Sequence, residues 1–300
     1  VLFLLPFSLA GYQTSKWSSA SIIVMLVLGV FFLACFAAYE RFLSPRSFIP
    51  FHLLTNRTIV GACVLSAVLF VSFYLWDGYY YSYLQVVHGM SITHTGYIYN
   101  IYSIGSCFWA VVVSVAIKYT GRFKWLALYF GAPLMLLGVG LMIHFRQPEH
   151  NIGYVIMCQI LIAFAGGTLV ICEEMAAMAS VAHGDMAAIL AVLGLFSSVG
   201  GAIGSSMSGA IWTNTLPGAL ADKLPEASKH LAAEIYGSLV VQLSYPMGDP
   251  VRTAIIEAYA VAQERMTIAA TAVLVLGWVA IAFWRDIRID EIKNVKGRVL

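Results

Sequence analysis

Charge is what this chain has least of. Asp, Glu, Lys and Arg make up 11% of its 300 residues, against about 25% in soluble domains. Hydrophobic residues make up 60%, and the mean hydropathy is +0.83. That much apolar surface excludes a fold bathed only in water, so part of the solvent must be lipid. No basic run exists away from the C-terminal tail and the net charge is +2, which leaves no electrostatic footprint for nucleic acid. The five cysteines, Cys35, Cys63, Cys107, Cys158 and Cys172, all lie in apolar segments. With none in a loop and no CxxC pair, neither a disulfide framework nor a metal site is indicated. No histidines stand at metal-ligand spacing and no nucleophile stands beside a base, so no cofactor and no enzyme chemistry are expected. The start, "VLFLLPFSLAGYQ", lacks the basic n-region and small-residue cleavage site of a signal peptide. It reads as the second half of a truncated membrane span.

Long apolar runs are what the chain has in abundance. A helix needs about 20 mostly apolar residues to cross a bilayer. Seven complete candidates follow the truncated one, at about 19–39, 58–83, 93–117, 124–145, 152–181, 186–212 and 266–284. The short connections make neighbours antiparallel. Placing the C-terminal tail in the cytosol puts most Lys and Arg inside, including Arg57, Lys118, Arg122, Lys124, Arg285 and Arg288, as the positive-inside rule requires. The long connection 213–265 then lies outside. Within it, "PEASKHLAAEIYGSLVVQL" and "DPVRTAIIEAYAVAQER" have helical apolar spacing and start signals at Pro225-Glu226 and Asp249-Pro250. They predict two amphipathic helices on the outer face, serving as a cap or as a lid.

The spans differ in polar content. Those at 124–145 and 266–284 carry no charge in their interiors and predict helices exposed to lipid all round. The other four of the last six carry polar groups: Asp77 and tyrosines; Thr95, Tyr97, Tyr99, Asn100, Tyr102 and Ser103; Gln159, Thr168, Glu173 and Glu174; and a set of serines from Ser197 to Ser208. Polar side chains at membrane depth cost free energy and face a cavity or another helix. Gly200, Gly204 and Ser208 recur every fourth residue, a spacing that lets two helix backbones approach closely.

"LAGYQTSKW", "YTGRFKW" and above all "GGAIGSSMSGAIWTNTLPGALADKLP" resemble the fungal siderophore-iron transporters of the major facilitator superfamily, in their triacetylfusarinine-type branch. The resemblance runs along nearly the whole chain. It implies an all-α polytopic membrane protein with both ends cytoplasmic, in a plasma membrane or endosomal vesicle, taking up ferric siderophores with protons as its partners. Residues 1–57 would be a truncated span, a linker hairpin and a cytoplasmic connector. Residues 58–285 would be the C-terminal six-helix bundle, and 286–300 a cytoplasmic tail. The N-terminal six-helix bundle would be missing from the chain. The superfamily's inner-loop pattern of Gly, Asp and basic residues is reduced here to Gly121, Arg122 and Lys124, without the acid. A drug:proton antiporter with the same number of spans, and a seven-span receptor, are the alternatives.

In the stretch "LWDGYYYSYLQ", Asp77 lies about 28 Å along its span at 1.5 Å per residue. Tyr74, Asp77 and Tyr81 are three and four apart and share one helix face. Two readings stay open: a solvated helix end with interfacial tyrosines, or an outer gate and binding wall that includes Tyr80. Tyrosine rings and hydroxyls would suit a bulky chelate with apolar arms and polar hydroxamates. Tyr99, Asn100 and Gln159 are the further substrate-binding candidates. Gln159, Gly166 and Glu173, seven apart, form one stripe. The paired acids Glu173 and Glu174 should favour keeping one proton, so Asp77, Glu173 and Glu174 are the candidates for proton coupling. A hydrated cytoplasmic interface is the alternative for the pair.

Overall fold

Every regular element among the described residues is helical. The structure, a computed structural model, describes residues 2–3, 5–9, 18–42 and 53–288. Most of "LAGYQTSKW", the connector at 43–52 and most of the expected tail lie outside the described residues. The helices are α1 (Leu5–Leu9), α2 (Ala20–Phe42), α3 (Arg57–Asp77), α4 (Tyr80–His88), α5 (Ile92–Tyr99), α6 (Ile101–Thr120), α7 (Lys124–Phe145, with a π-turn at Ala127–Gly131), α8 (Ile152–Met178), α9 (Met186–Lys223), α10 (Ala232–Gly237), α11 (Leu239–Ser244) and α12 (Pro250–Ala282). Six stretches among the described residues are long and apolar enough to cross a membrane: α3 with α4, α5 with α6, α7, α8, α9 with the turn before it, and α12.

Local chemistry sets the starts. Asn56, Ser91, Asn151 and Asp249 each accept a hydrogen bond from a backbone N–H in the first turn of the helix that follows, satisfying one of its free donors. Gly89 and Gly121 close α4 and α6 at φ of 61° and 64°, the left-handed backbone that glycine adopts without strain.

The expected outer loop at 213–265 is much shorter than the sequence suggests. Helix α9 continues through Pro217 to Lys223, and α12 begins at Pro250. "DPVRTAIIEAYAVAQER" is therefore the start of a spanning helix, not a separate surface helix. Its apolar residues, Ala254, Ile255, Ala258 and Ala262, are buried in the bundle. "PEASKHLAAEIYGSLVVQL" forms a 3₁₀ turn at Glu226–Leu231 followed by α10 and α11. Gly237 and the extended backbone of Ser238 interrupt it.

The six spans form two interlocked triplets. Helices α3 and α8 meet at the centre. The middle helix of each triplet packs on the first helix of the other, α9 on α3 and α6 on α8, while α7 and α12 touch each other behind α8 and α3. The expectation that α7 and α12 are exposed all round is thus corrected. One face of each is buried, through Met135, Val139 and Met142, and through Ala270, Leu274 and Ile281. The least buried span is instead α5 with α6, whose Ile104, Phe108, Val111, Val115 and Tyr119 are exposed.

Lipid tails are as apolar as leucine, so close packing and hydrogen bonds hold spans together. The small residues of α9 show how. A Cβ on Gly200 would lie 2.3 Å from the Ala67 carbonyl oxygen, and one on Gly204 would lie 2.6 Å from that of Val71. Backbone meets backbone here, and no side chain fits between.

Candidate functional site

The stretch that carries Asp77 is a broken helix. Helix α3 ends at Asp77, Gly78 turns away at φ −56° and ψ 126°, and Tyr79 takes φ 59° before α4 begins. A Cβ on Gly78 would lie 2.0 Å from the Ser208 hydroxyl of α9, so only glycine fits where the chain turns. Tyr79 is the one described non-glycine residue at positive φ, a costly conformation for a bulky side chain. Its ring lies flat on Trp212, with centroids 4.0 Å apart and planes at 5°, and Trp212 meets Tyr259 edge-on.

The break changes which tyrosines face together. The Tyr99 hydroxyl donates to Asp77 Oδ2 at 2.7 Å, and the Tyr81 ring meets Tyr99 edge-on at 5.8 Å. Asp77, Tyr81 and Tyr99 therefore form one half-buried group, joining α3, α4 and α5. The continuous helix face expected for Tyr74, Asp77 and Tyr81 does not exist: the chain turns at Gly78 and Tyr79, and Tyr81 and Asp77 are joined instead through Tyr99. Tyr74 lies against Gly201 and Gly204 of α9. It lines an open cleft of about 510 Å³ with Phe70, Ser197, Ser198 and Ser205. Tyr80 is fully buried and stands behind the group rather than on its surface. Asn100 is exposed, and its amide donates to the Gly96 carbonyl in its own helix.

Two buried arginines hold the break. Arg146, at the end of α7, donates to the Trp76 carbonyl, and its guanidinium lies 4.4 Å from the Tyr80 ring centroid and 5.0 Å from that of Tyr83. The Tyr83 hydroxyl donates back to the Arg146 carbonyl at 3.0 Å. Arg252, in the first turn of α12, donates to the carbonyls of Gln85 (3.1 Å) and Val86 (3.0 Å) near the end of α4, and to those of Gln242 and Tyr245. Each half of the broken helix thus has cationic donors on carbonyls of its last turn, where the helix dipole favours positive charge. Sequence reasoning missed both. Arg146 closes an apolar run and Arg252 follows a turn, so each looks like a side chain reaching for the interface, and nothing local marks it as buried.

The second polar group lies deeper, on α8. Gln159 and Glu173 are buried, and both amide atoms of Gln159 and Oε2 of Glu173 are unpaired. Between them Gly166 sits under Tyr102, whose hydroxyl would lie 2.9 Å from a Cβ there. The stripe read from the sequence is thus a buried face of α8. On α3, Ser66 Oγ is 2.6 Å from Ser197 Oγ of α9. Glu174 is only partly buried, so the two adjacent acids have different surroundings. The indole of Trp109 donates to Thr168 Oγ1 at 3.0 Å, tying α6 to the same helix.

Two triplets of spanning helices, with polar groups gathered on the central pair and its neighbours, have the arrangement of the major facilitator fold. A crystal structure of a bacterial homologue of the human lysosomal transporter Spinster, inward-facing and occupied, has this arrangement. It matches with a TM-score of 0.58 and 15% identity, over 94% of this chain and 64% of that one. No family model matches the chain. Among curated proteins, it is 54% identical over 299 residues to "MFS siderochrome iron transporter 1" of Ajellomyces capsulatus, covering 100% of this chain and 51% of the relative. It is 51% identical over 291 residues to "MFS siderochrome iron transporter D" of Aspergillus fumigatus, covering 97% and 48%. It is 42% identical over 272 residues to "Siderophore iron transporter 1" of Schizosaccharomyces pombe, covering 90% and 44%. Along its whole length the chain is thus similar to proteins named siderochrome or siderophore iron transporters. It spans about half the length of the curated relatives it matches.

Proposed function

We propose that this chain forms one wall of a carrier that takes up ferric hydroxamate siderophores together with protons by alternating access. The observation that carries the reading is the division of polar groups on the central helices. Asp77, Tyr81 and Tyr99 form a half-buried aromatic and acidic group at a helix break, while Glu173 is sealed in the bundle with one oxygen unpaired. The first group offers ring faces and hydroxyls to a bulky chelate. Tyr74 extends that wall into the cleft, and Gln159 and Tyr80 join it when the helices move. The carboxyl of Glu173 holds the transported proton, with Glu174 beside it, because a buried acid without a counter-charge is more stable neutral. Iron travels inside its chelator as cargo.

In this reading the Asp77 end faces outward and the C-terminus lies in the cytosol. The opposite wall comes from a second bundle, for which the exposed face of α5 and α6 is suited. The similarity of this chain to one half of proteins named siderochrome iron transporters supports an iron chelate over the drugs of a proton antiporter, and a carrier over a receptor. The test is uptake of iron-55 by a transporter-deficient yeast expressing the full-length gene. Iron-55 should accumulate with at least one hydroxamate siderophore, and collapsing the proton gradient should stop it. Failure to accumulate with every hydroxamate overturns the reading.

A further inference from the structure

We propose that a half-enclosed apolar pocket among α3, α6, α7 and α8 takes one acyl arm of the chelate and selects for arms of about five or six carbons. The inference rests on the ferric hydroxamate reading and deepens it, by naming the part of the substrate that this bundle tells apart.

The pocket holds about 140 Å³, and Phe70 and Phe73 of α3, Tyr102 of α6, Met135 of α7, and Gly166 and Val170 of α8 line it. Gly166 helps to make the space. It has no side chain where Tyr102 crosses it, and a Cβ there would lie 2.9 Å from the Tyr102 hydroxyl oxygen. The Tyr102 ring is held in turn by Phe73 and Trp76, with centroids 5.2 and 5.5 Å away. Met135 is buried and comes from α7, the span packed behind α8, so it closes the far end.

Position and chemistry say what enters. Phe70 lines both this pocket and the cleft of about 510 Å³ that Tyr74 lines one helical turn further along α3. The pocket therefore adjoins the wall already assigned to the chelate. Phe70 stands seven residues from Asp77, about 10 Å along the helix, a distance that one bulky chelate can bridge. The lining offers one hydroxyl, that of Tyr102, which makes no hydrogen bond among the described residues. A hydroxamate carries its acyl arm on the carbonyl carbon, and the carbonyl oxygen binds iron while keeping a lone pair. With the arm in the pocket, that oxygen lies at the mouth, where the Tyr102 O–H can donate to it.

Size sets the preference. A dry apolar cavity of about 150 Å³ holds benzene, a six-carbon ring. An acetyl arm, with its single methyl group, would leave most of the pocket empty. A 3-methylbutanoyl arm carries three more carbons and would fill most of it. Each further buried methylene favours binding by about fourfold.

The test uses the full-length protein in liposomes and one synthetic tris-hydroxamate iron chelate made in two forms. Its hydroxamates carry either acetyl or 3-methylbutanoyl arms, and both forms are loaded with iron-55. The readout is the ratio of the concentrations that half-saturate exchange of labelled for unlabelled chelate. The native protein should half-saturate with the five-carbon form at a concentration lower by about tenfold or more. Val170→Phe, at a partly exposed position, fills the pocket and should bring the two values within about twofold of each other. Met135→Ala deepens the pocket and should move the preference to a 4-methylpentanoyl form. A structural effect alone would shift both values together and keep their ratio, which overturns the inference. Equal half-saturation by the native protein also overturns it, while the hydroxamate reading stands. If neither form exchanges, the hydroxamate reading fails and the pocket with it. If Val170→Phe abolishes exchange of both forms, Met135→Ala decides: a shift to the longer arm supports the pocket, and an unchanged preference overturns it.

Discussion

Asp77 and Glu173 are both carboxyls on the central helices of the bundle, yet their surroundings are opposite. Asp77 sits at a broken helix end, half-buried, already accepting from Tyr99 and ringed by aromatic side chains. Glu173 sits within an unbroken helix, sealed, with its Oε2 unpaired. The acid at the break can be ionised and still be stabilised by a donor. Among the described residues the sealed acid has no salt-bridge partner and its Oε2 has no hydrogen-bond partner. The difference teaches that an acid in a membrane helix takes its role from the backbone around it. A break frees polar main-chain groups and gathers donors, whereas an unbroken helix keeps its main-chain donors bonded within itself.

Several substitutions sharpen that contrast. Gly204→Val should have the largest effect, because it forces a side chain onto the Val71 carbonyl. Overpacking of this kind costs about 3 kcal/mol at the upper end of its usual range. The variant should lose monodisperse folded protein in detergent, and a normal yield with unchanged melting would refute the backbone contact. Glu173→Gln should reach the membrane at the normal level while gradient-driven uptake falls to background. Arg146→Gln removes a charged donor from the Trp76 carbonyl and a cation from two tyrosine rings. Buried hydrogen bonds to charged groups are worth about 1.5–3 kcal/mol, so its thermal unfolding in detergent should come clearly lower. Tyr99→Phe loses one hydrogen bond, worth about 0.6 kcal/mol on average in membrane helices, which corresponds to roughly a threefold rise in the chelate concentration for half-maximal uptake. Asn100→Ala should change little, since the amide only bonds its own helix. A large loss in uptake would place Asn100 in the binding wall.

The spans were legible because each contains a long, mostly apolar run. The Asp249-Pro250 signal correctly marked a helix start. What the sequence hid was that this helix continues into the last span, since "EAYAVAQERMTI" mixes charge with small apolar residues and reads as amphipathic. Only packing against neighbouring helices shows its apolar side to be core. Pro217 concealed the length of α9 in the same way: proline argues for a stop, but nearby side chains and helices can satisfy the carbonyl it frees in a membrane protein. The candidate site was legible as a cluster and not as a surface. Asp77, Tyr81 and Tyr99 stand out by residue type. The left-handed turn at Tyr79, however, stands beside the close approach of Ser208 to Gly78, which joins residues far apart in sequence. Arg146 and Arg252 escaped notice because their partners are backbone carbonyls, which every residue possesses.

The flat stack of Tyr79 on Trp212 gives the break an optical handle. An indole held 4.0 Å from the phenol ring of the one described non-glycine residue at positive φ senses rotation of that residue through its emission. Separating the rings exposes the indole to a different polarity and moves its fluorescence maximum. With the other tryptophans replaced by phenylalanine, Trp212 would report on straightening or further bending of the Asp77 helix in real time, without an added label.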